Sequence, residues 1–242
     1  MMPVLDALVD EGPNKALIDI TGLLSHNLLA LMRLIYDCKK LEQVTFAYAA
    51  PSRYRSDTTT EFASSASEVK LVLGYEGYPE IGAFERDRLI IGLGYDDHLI
   101  RSLCVDRPTA DIRVVFGLPA LQPDMYSDSW LRTLRVEEEL GPEALSRPIF
   151  APANGPFATA EVLAEEVKRS REAGINNVYL CPLGPRPMVL GFGLYYLAEC
   201  IDSTVGCLLP FPDRHFASTS EGLSTISLYD IDFGYLRASG AA

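Results

Sequence analysis

Short apolar runs along the chain alternate with longer stretches whose apolar positions have helical spacing. Residues 16–21 form the first short run, and Gly22 leads into a stretch with a 3.6-residue apolar period over residues 28–36. Residues 44–48 form the next short run, which stops before Pro51. The pattern predicts strand, helix and strand, which is an opening βαβ unit with parallel strands.

The alternation recurs in the rest of the chain. Residues 88–94 and 112–119 predict strands around a helix that begins near Asp96 or Asp97. Further on, Gly174 is placed to end a helix that starts at Pro156. Strands are then predicted at residues 178–183 and 205–211, with a helix from Pro187 between them.

This last helix, over residues 187–200, is apolar nearly all round, so we expect it to be buried. Gly191 and Gly193 lower its intrinsic helix stability, which indicates close approach of another backbone. Together the elements predict an α/β protein with a Rossmann-like, mostly parallel sheet and helices on both faces. We expect residues 1–242 to form one domain, with a mobile polar loop at about 55–68 that could act as a lid.

Charge narrows the range of partners. With 21 basic and 33 acidic residues the chain has a net charge of −12, which repels phosphate backbones and anionic surfaces. We therefore expect neither duplex DNA nor a membrane as a partner. A small anionic ligand stays compatible with this charge, because a few arginines and helix N-termini can reverse the field locally.

The cysteines and the lengths of the apolar runs indicate the cellular compartment of the protein. The 5 cysteines are scattered and include no C-x-x-C pair, so we expect buried thiols in a reducing compartment. The chain shows no signal-like segment and no run of about 18 apolar residues. The sequence therefore predicts a soluble cytoplasmic protein without a bound cofactor or metal.

Two predicted strand ends are alike. One finishes in Pro-Ser-Arg53-Tyr54 and the other in Pro-Asp-Arg214-His215. These ends would place Arg53 and Arg214 in corresponding loops. Chance similarity between two strands that end in proline is an equally good explanation, because matches of this length are weak.

Asp19 and Thr21 are the first candidates for binding chemistry. They alternate along the first predicted strand and share one face, just before Gly22. Open α/β sheets bind ligands at the carboxyl ends of their strands. In the alternative interpretation, Asp19 is a buried carboxylate that accepts backbone amides of a neighbouring turn.

The segment from Gly184 to Arg186 is the second candidate. A glycine at a strand end before a helix start directs backbone N–H groups above the sheet, and Arg186 adds a cation. The segment lacks the Gly-Lys-Ser/Thr ending of a phosphate-binding P-loop. A purely structural turn is the alternative.

Residues 92–97 begin like a dinucleotide fingerprint, but Asp97 stands at the third glycine position and would repel a pyrophosphate. Gly94 remains a candidate ligand contact, and Asp96 is expected to cap a helix. Adjacent Asp96, Asp97 and His98 cannot share one helical face, so they do not predict a metal site. The G-x-S-x-G elbow of hydrolases is absent, which disfavours a conventional nucleophilic enzyme.

Several of these segments carry a resemblance. The opening unit, the strand ending at Tyr54, residues 178–197 and residues 205–212 resemble an uncharacterised bacterial family with a Pro-x-Gly-Pro-Lys/Arg-Pro-Met segment. More distantly, the chain resembles the CRISPR-associated Rossmann fold (CARF) and SAVED-like sensor domains of antiviral systems. Those domains bind cyclic oligonucleotides above the sheet, which implies roles for Thr21 and Gly22 in the first loop and for Gly184 and Arg186 in the late turn.

Three functions follow as expectations. The first is a sensor or regulatory module for a nucleotide or phosphorylated ligand, working through a protein partner or a homo-oligomer. Its arginines, Arg53, Arg186 and Arg214, would contact anionic groups, with Tyr54 or His215 stacking. The second is an enzyme that acts on such a ligand, with Asp19, His98 or His215 as acid or base. The third is an interaction subunit of a complex.

Overall fold

A computed structural model describes residues 15–54, 66–80, 87–213 and 220–239. Within these residues the predicted alternation of strands and helices is present. The strands are β1 (Lys15–Asp19), β2 (Gln43–Ala50), β3 (Arg53–Tyr54), β4 (Ala66–Leu71), β5 (Arg88–Gly92), β6 (Asp111–Gly117), β7 (Ile149–Ala151), β8 (Val178–Pro182), β9 (Val205–Pro212), β10 (Ser220–Glu221) and β11 (Thr225–Asp232). The helices are α1 (Ser25–Cys38), α2 (Asp97–Asp106), α3 (Met125–Leu134), α4 (Glu137–Leu140), α5 (Pro142–Ser146), α6 (Pro156–Glu172), α7 (Arg186–Glu199) and α8 (Phe233–Ser239).

The larger sheet of the described part has six strands in the order β4-β9-β8-β5-β6-β7. Five of them run parallel, and β4 pairs antiparallel with β9 at one edge. The chain winds outward from β5 through β6 to β7, returns to β8 beside β5, and continues to β9. The direction of winding therefore reverses between β5 and β8.

Helices cover both faces of this sheet, as predicted. Alternate strand residues enter two separate apolar cores, because successive side chains point to opposite faces. Ile90 and Leu180 belong to the core that contains α6 and α7. Leu89 and Tyr179 belong to the core formed with α2, α4 and α5. The protein is thus a mixed α/β protein built on a mostly parallel sheet.

The opening βαβ unit does not join the larger sheet, contrary to the expectation of one sheet. Strand β2 instead lies between parallel β1 and antiparallel β11 in a sheet of three strands. The inner face of this small sheet packs on the core that contains α1, α7 and the six-stranded sheet. A helix that is apolar on all sides, such as α7, is stable only when apolar neighbours surround it. Helices α1, α6 and α8 supply these neighbours together with β8 of the larger sheet.

Helix α7 is the centre of this packing. The predicted close approach of another backbone is confirmed at Gly191, where a Cβ would lie 2.5 Å from the carbonyl oxygen of Pro156 in α6, whereas the neighbours of Gly193 are side chains. A Cβ on Gly193 would lie 2.6 Å from Sδ of Met32 in α1. Both neighbouring helices can therefore reach the α7 backbone because these two positions lack side chains.

Two βαβ units correspond element by element. In β1-α1-β2 the lengths are 5, 14 and 8 residues, and β8-α7-β9 has the same three lengths. The second strand of each unit has an antiparallel neighbour, β11 on β2 and β4 on β9. The short strands β3 and β10 pair with each other. The similar strand ends noted in the sequence thus belong to corresponding strands, β2 and β9.

The predicted loop at 55–68 needs a correction. Residues 66–68 belong to β4, where Glu68, Val69 and Lys70 pair with β9 and so extend the sheet by one strand. Residues 55–65 lie outside the described part of the chain. Among the described residues, no helix combines the length and the apolar character needed to cross a membrane.

Candidate functional site

A cavity of about 450 Å³ opens where the carboxyl ends of strands from both sheets meet. The loops after β1, β5, β6 and β8 contribute to its wall, together with the ends of β2 and β7 and the start of β10. The cavity therefore lies beside the point where winding of the larger sheet reverses. Open α/β sheets generally bind ligands at this kind of position.

Gly94 and Gly184 form part of the cavity wall and bring two loops into contact. A Cβ on Gly94 would lie 2.1 Å from the carbonyl oxygen of Leu183, which no side chain allows. A Cβ on Gly184 would lie 2.6 Å from Sδ of Met188 and 3.1 Å from the carbonyl oxygen of Leu93. The loops after β5 and β8 thus pack backbone to backbone because both positions are glycine.

Arg186 lies in the cavity wall at the first residue of α7. Its Nη1 donates a hydrogen bond to Oγ of Ser25, the first residue of α1, over 3.2 Å. Two helix N-termini, each with a partial positive charge, are therefore directed toward the same region as the guanidinium. This region is suited to an anionic group despite the acidic surface.

Thr21 also lines the cavity and fixes the end of β2. Its Oγ1 accepts a hydrogen bond from the Ala49 N–H over 2.8 Å, and its own N–H donates to Oδ1 of Asp19 over 2.8 Å. Hydrogen bonds from the Thr21 side chain and backbone lower the pKa of Asp19 below its usual value. Asp19 is exposed and lies outside the described cavity lining. Gly22 is also outside that lining, and a Cβ at this position would meet no atom within 4 Å. Asp19 therefore acts mainly on the turn, as in the alternative interpretation, although it is not buried.

The remaining candidates from the sequence follow the corresponding strand ends. The backbones of Arg53 and Tyr54 form β3, in which Tyr54 pairs with Ser220, a residue of the cavity wall. The structure does not describe the side chains of Arg53 and Tyr54. Arg214 and His215 lie outside the described residues. Their predicted ligand contacts thus remain predictions.

The segment after β6 forms a wall that the sequence pattern did not indicate. Leu121, Met125 and Ser129 line the cavity from this segment and from α3. Nε2 of Gln122 donates to the carbonyl oxygens of Pro51 and Ser52, over 2.8 and 2.9 Å, and joins this wall to the end of β2. Residues 122–148 have little regular periodicity, so only tertiary contacts reveal this role.

The loop after β5 contributes an aromatic ring and a carboxylate to the wall, Tyr95 and Asp96. Arg132 of α3 holds this loop, since its Nη1 donates to the Tyr95 carbonyl over 2.9 Å and its guanidinium lies 5.2 Å from the centre of the Tyr95 ring. Asp96 occupies the predicted N-cap position of α2, but its side chain makes no capping hydrogen bond. Asp96 therefore places an acidic residue in the cavity wall without capping α2.

Small residues create much of the space in the cavity. The described lining includes Gly94, Gly117, Gly184, Gly222, Ala49, Ala120 and Ala153. The lining also includes larger apolar residues, among them Leu93, Leu121 and Leu223. The wall therefore combines apolar surface with a few polar groups, as in small-molecule sites.

Comparisons with known proteins give no family for this chain. No protein-family model matches it, and no curated protein gives a significant match. Across the described ranges, no three His, Cys, Asp or Glu side chains are grouped so that they could hold a metal ion. The chemistry of the cavity must accordingly be inferred from its own residues.

Proposed function

We propose that the cavity binds a nucleotide or a similar phosphorylated small ligand, and that the protein is a sensor or regulatory module. The position of the cavity is the observation that carries this proposal. It lies at the carboxyl ends of parallel strands from two sheets, beside the reversal between β5 and β8. Nucleotide-binding α/β proteins use such a crevice because strand ends and helix N-termini direct backbone N–H groups into it.

The strand order supports a Rossmann-like classification. Numbered from β5, the parallel strands run 3-2-1-4-5 across the sheet, the order of the first five strands in the dinucleotide-binding fold. The antiparallel β4 follows as a sixth strand at the edge. A common order does not establish function, so the argument for a ligand depends on the residues of the cavity.

Arg186 makes an anionic group favourable in this place. The net charge of −12 is spread over the whole chain, and its effect is screened beyond roughly 8 to 10 Å at physiological salt. A guanidinium beside two helix N-termini acts at hydrogen-bond distance instead, where screening is weak. The ligand's phosphate is therefore assigned to Arg186 and the first turns of α7 and α1.

The size and lining of the cavity fit the rest of such a ligand. About 450 Å³ falls within the range of roughly 300–1,000 Å³ typical of small-molecule sites. Its leucines and Met125 offer apolar surface for a base or sugar. Thr21 and backbone groups of the glycine loops offer hydrogen bonds for the sugar hydroxyls.

We prefer a sensor over an enzyme because the proposed acids and bases that the structure describes do not line the cavity. Asp19 and His98 are both outside the described lining of the cavity, where an acid or base would have to reach its substrate, and His215 lies outside the described residues. Signalling in antiviral defence, through a protein partner or a homo-oligomer, is the part of this proposal that depends on the CARF and SAVED resemblance alone.

Isothermal titration calorimetry with linear and cyclic nucleotides tests the proposal. Loss of one charge-assisted hydrogen bond should cost about 1.5 to 3 kcal/mol, so Arg186→Ala should weaken binding roughly tenfold to a hundredfold. Arg171→Ala removes the same charge from an exposed position on α6 and should leave affinity unchanged. Absence of binding by the wild-type protein to every nucleotide would reject the proposal and favour the interaction-subunit hypothesis.

A further inference from the structure

Tyr95 is held in the cavity wall from two directions. The Arg132 guanidinium lies 5.2 Å from the ring centre, and Nη1 of the same side chain donates to the Tyr95 carbonyl over 2.9 Å. A cation over one face of an aromatic ring helps to fix the position of that ring. A tyrosine fixed in this way loses little conformational entropy when a planar group stacks on it.

Asp96 follows directly and also lines the cavity. A carboxylate accepts hydrogen bonds and repels phosphate, so this part of the wall is unsuited to the anionic end of a ligand. Arg186 is on a different loop, at the start of α7. The cavity therefore has one wall suited to an anion and another suited to a planar group with N–H donors.

We propose that Tyr95 and Asp96 form a nucleobase subsite, in which the tyrosine ring stacks on the base and the carboxylate accepts a hydrogen bond from the exocyclic amino group of the base. This inference rests on the proposed function and adds the chemical group that the wall at Tyr95 and Asp96 recognises. Nucleobases combine a flat π-face with N–H donors on one edge, which matches both residues at once.

Arg132 is a positioning residue in this arrangement. It lies in α3, behind the loop after β5, and connects the ring and the main chain of Tyr95 to that helix. Its effect on a ligand should therefore pass through the tyrosine. A variant at Arg132 should change recognition of the base and leave recognition of a phosphate unchanged.

The test compares nucleotides with a ligand that has no base. The four nucleoside monophosphates AMP, CMP, GMP and UMP and ribose 5-phosphate are titrated into the full chain by calorimetry. We expect at least one of the amino-bearing nucleotides, AMP, CMP or GMP, to bind more tightly than both UMP and ribose 5-phosphate. Tyr95→Leu should weaken the binding of that nucleotide about tenfold to a hundredfold, whereas Tyr95→Phe should retain most of the affinity.

The remaining variants separate the roles. Asp96→Asn should reduce the preference for amino-bearing bases over UMP, and Arg132→Gln should weaken nucleotide binding with partial rescue by Arg132→Lys. Ribose 5-phosphate should bind all these variants as it binds the wild type. Equal loss of ribose 5-phosphate would indicate a collapsed cavity and overturn the assigned roles, and far-ultraviolet circular dichroism would show whether a variant is folded.

The outcomes separate this inference from the proposed function. Nucleotide binding that requires Arg186 but has the same affinity in Tyr95→Leu and Asp96→Asn as in the wild type would reject the base subsite. The phosphorylated-ligand site would then stand. Ribose 5-phosphate binding as tightly as every nucleotide would lead to the same conclusion. If the wild type binds neither nucleotides nor ribose 5-phosphate, both the site and the subsite are rejected.

Discussion

Arg186 donates a hydrogen bond to Ser25 over 3.2 Å, and these residues, 161 positions apart, each begin a helix of 14 residues. About two turns further along, Met32 approaches the backbone at Gly193, a pair with the same separation in sequence. Helices α1 and α7 therefore lie side by side and run in the same direction. The N-terminus of α7 lines the cavity and that of α1 lies beside it, because the two βαβ units are packed with their strand ends at one edge.

Replacing Gly191 with alanine should destabilise the protein. Alanine is favoured over glycine inside a helix by about 1 kcal/mol, but the new Cβ would lie 2.5 Å from the Pro156 carbonyl oxygen and 2.6 Å from Cβ of Thr159. We expect a net loss of about 1 to 3 kcal/mol in the free energy of unfolding, measured in urea. Gly22→Ala is the control, since nothing lies within 4 Å of its Cβ. Unchanged stability of Gly191→Ala would refute the tight packing of α6 on α7.

Removing the carboxylate of Glu166 should destabilise the fold without affecting the cavity. Glu166 is 3% exposed, and its Oε1 lies 2.9 Å from Nε of Arg113 and 3.7 Å from Nη1 of Arg88. Loss of this acceptor removes the carboxylate partner of the partly buried Arg113 guanidinium, whereas Arg88 retains Asp111, so Glu166→Ala should cost about 3 to 5 kcal/mol. Neighbouring Glu165 forms an exposed pair with Arg169, and Glu165→Ala should cost about 1 kcal/mol or less.

Urea denaturation of the two glutamate variants checks this difference. The partners of Glu166 lie at or near the starts of β5 and β6, away from the strand ends that form the cavity. Nucleotide affinity of folded Glu166→Ala should therefore equal that of the wild type. Equal costs for the two substitutions would show that the buried ion pairs add nothing beyond a surface pair.

Alkaline pH should destabilise the protein. Burial raises the pKa of Cys104 and Cys200 from the ordinary value of 9.0 to about 11, and raises the pKa of Cys181 and Cys207 well above that ordinary value. Above about pH 9 the unfolded chain releases protons that the native state retains, so the free energy of unfolding decreases with pH. The contribution of these protonated thiols to the free energy of unfolding is fully present below pH 9 and is lost as the pH rises toward 11.

Urea midpoints from pH 7 to 11 measure this dependence. We expect a constant midpoint up to about pH 8.5 and a falling one above it. Cys200→Ala should reduce the slope of the fall, whereas Cys38→Ser, at the partly exposed cysteine, serves as the matched control. A midpoint that stays constant to pH 11 would contradict burial of these thiols.

Local periodicity was enough to predict the three βαβ units and α6, but not β4, β7, β11 or the helices within residues 122–148. The helical apolar spacing in α1, α6 and α7 and the short apolar runs in β1, β2, β5 and β8 depend only on which residues follow one another. Gly174 was placed correctly as the end of α6, and its φ of +75° explains why glycine is used there. Thr21, Gly94, Gly184 and Arg186 were predicted as site residues because each follows a strand, and all four line the cavity.

The tertiary structure alone decided how these elements are grouped. Periodicity records which face of a strand is apolar but not which strand lies beside it, so the separate sheet of β1, β2 and β11 was not predicted. The same limit applies to the cavity, where Gln122, Tyr95 and the wall from α3 meet through contacts distant in sequence. The sequence by itself thus determined the elements of the three βαβ units, the helix α6, the buried character of α7 and the residues at strand ends. Pairing and packing, which depend on the whole chain at once, determined that strand ends from two sheets enclose one cavity.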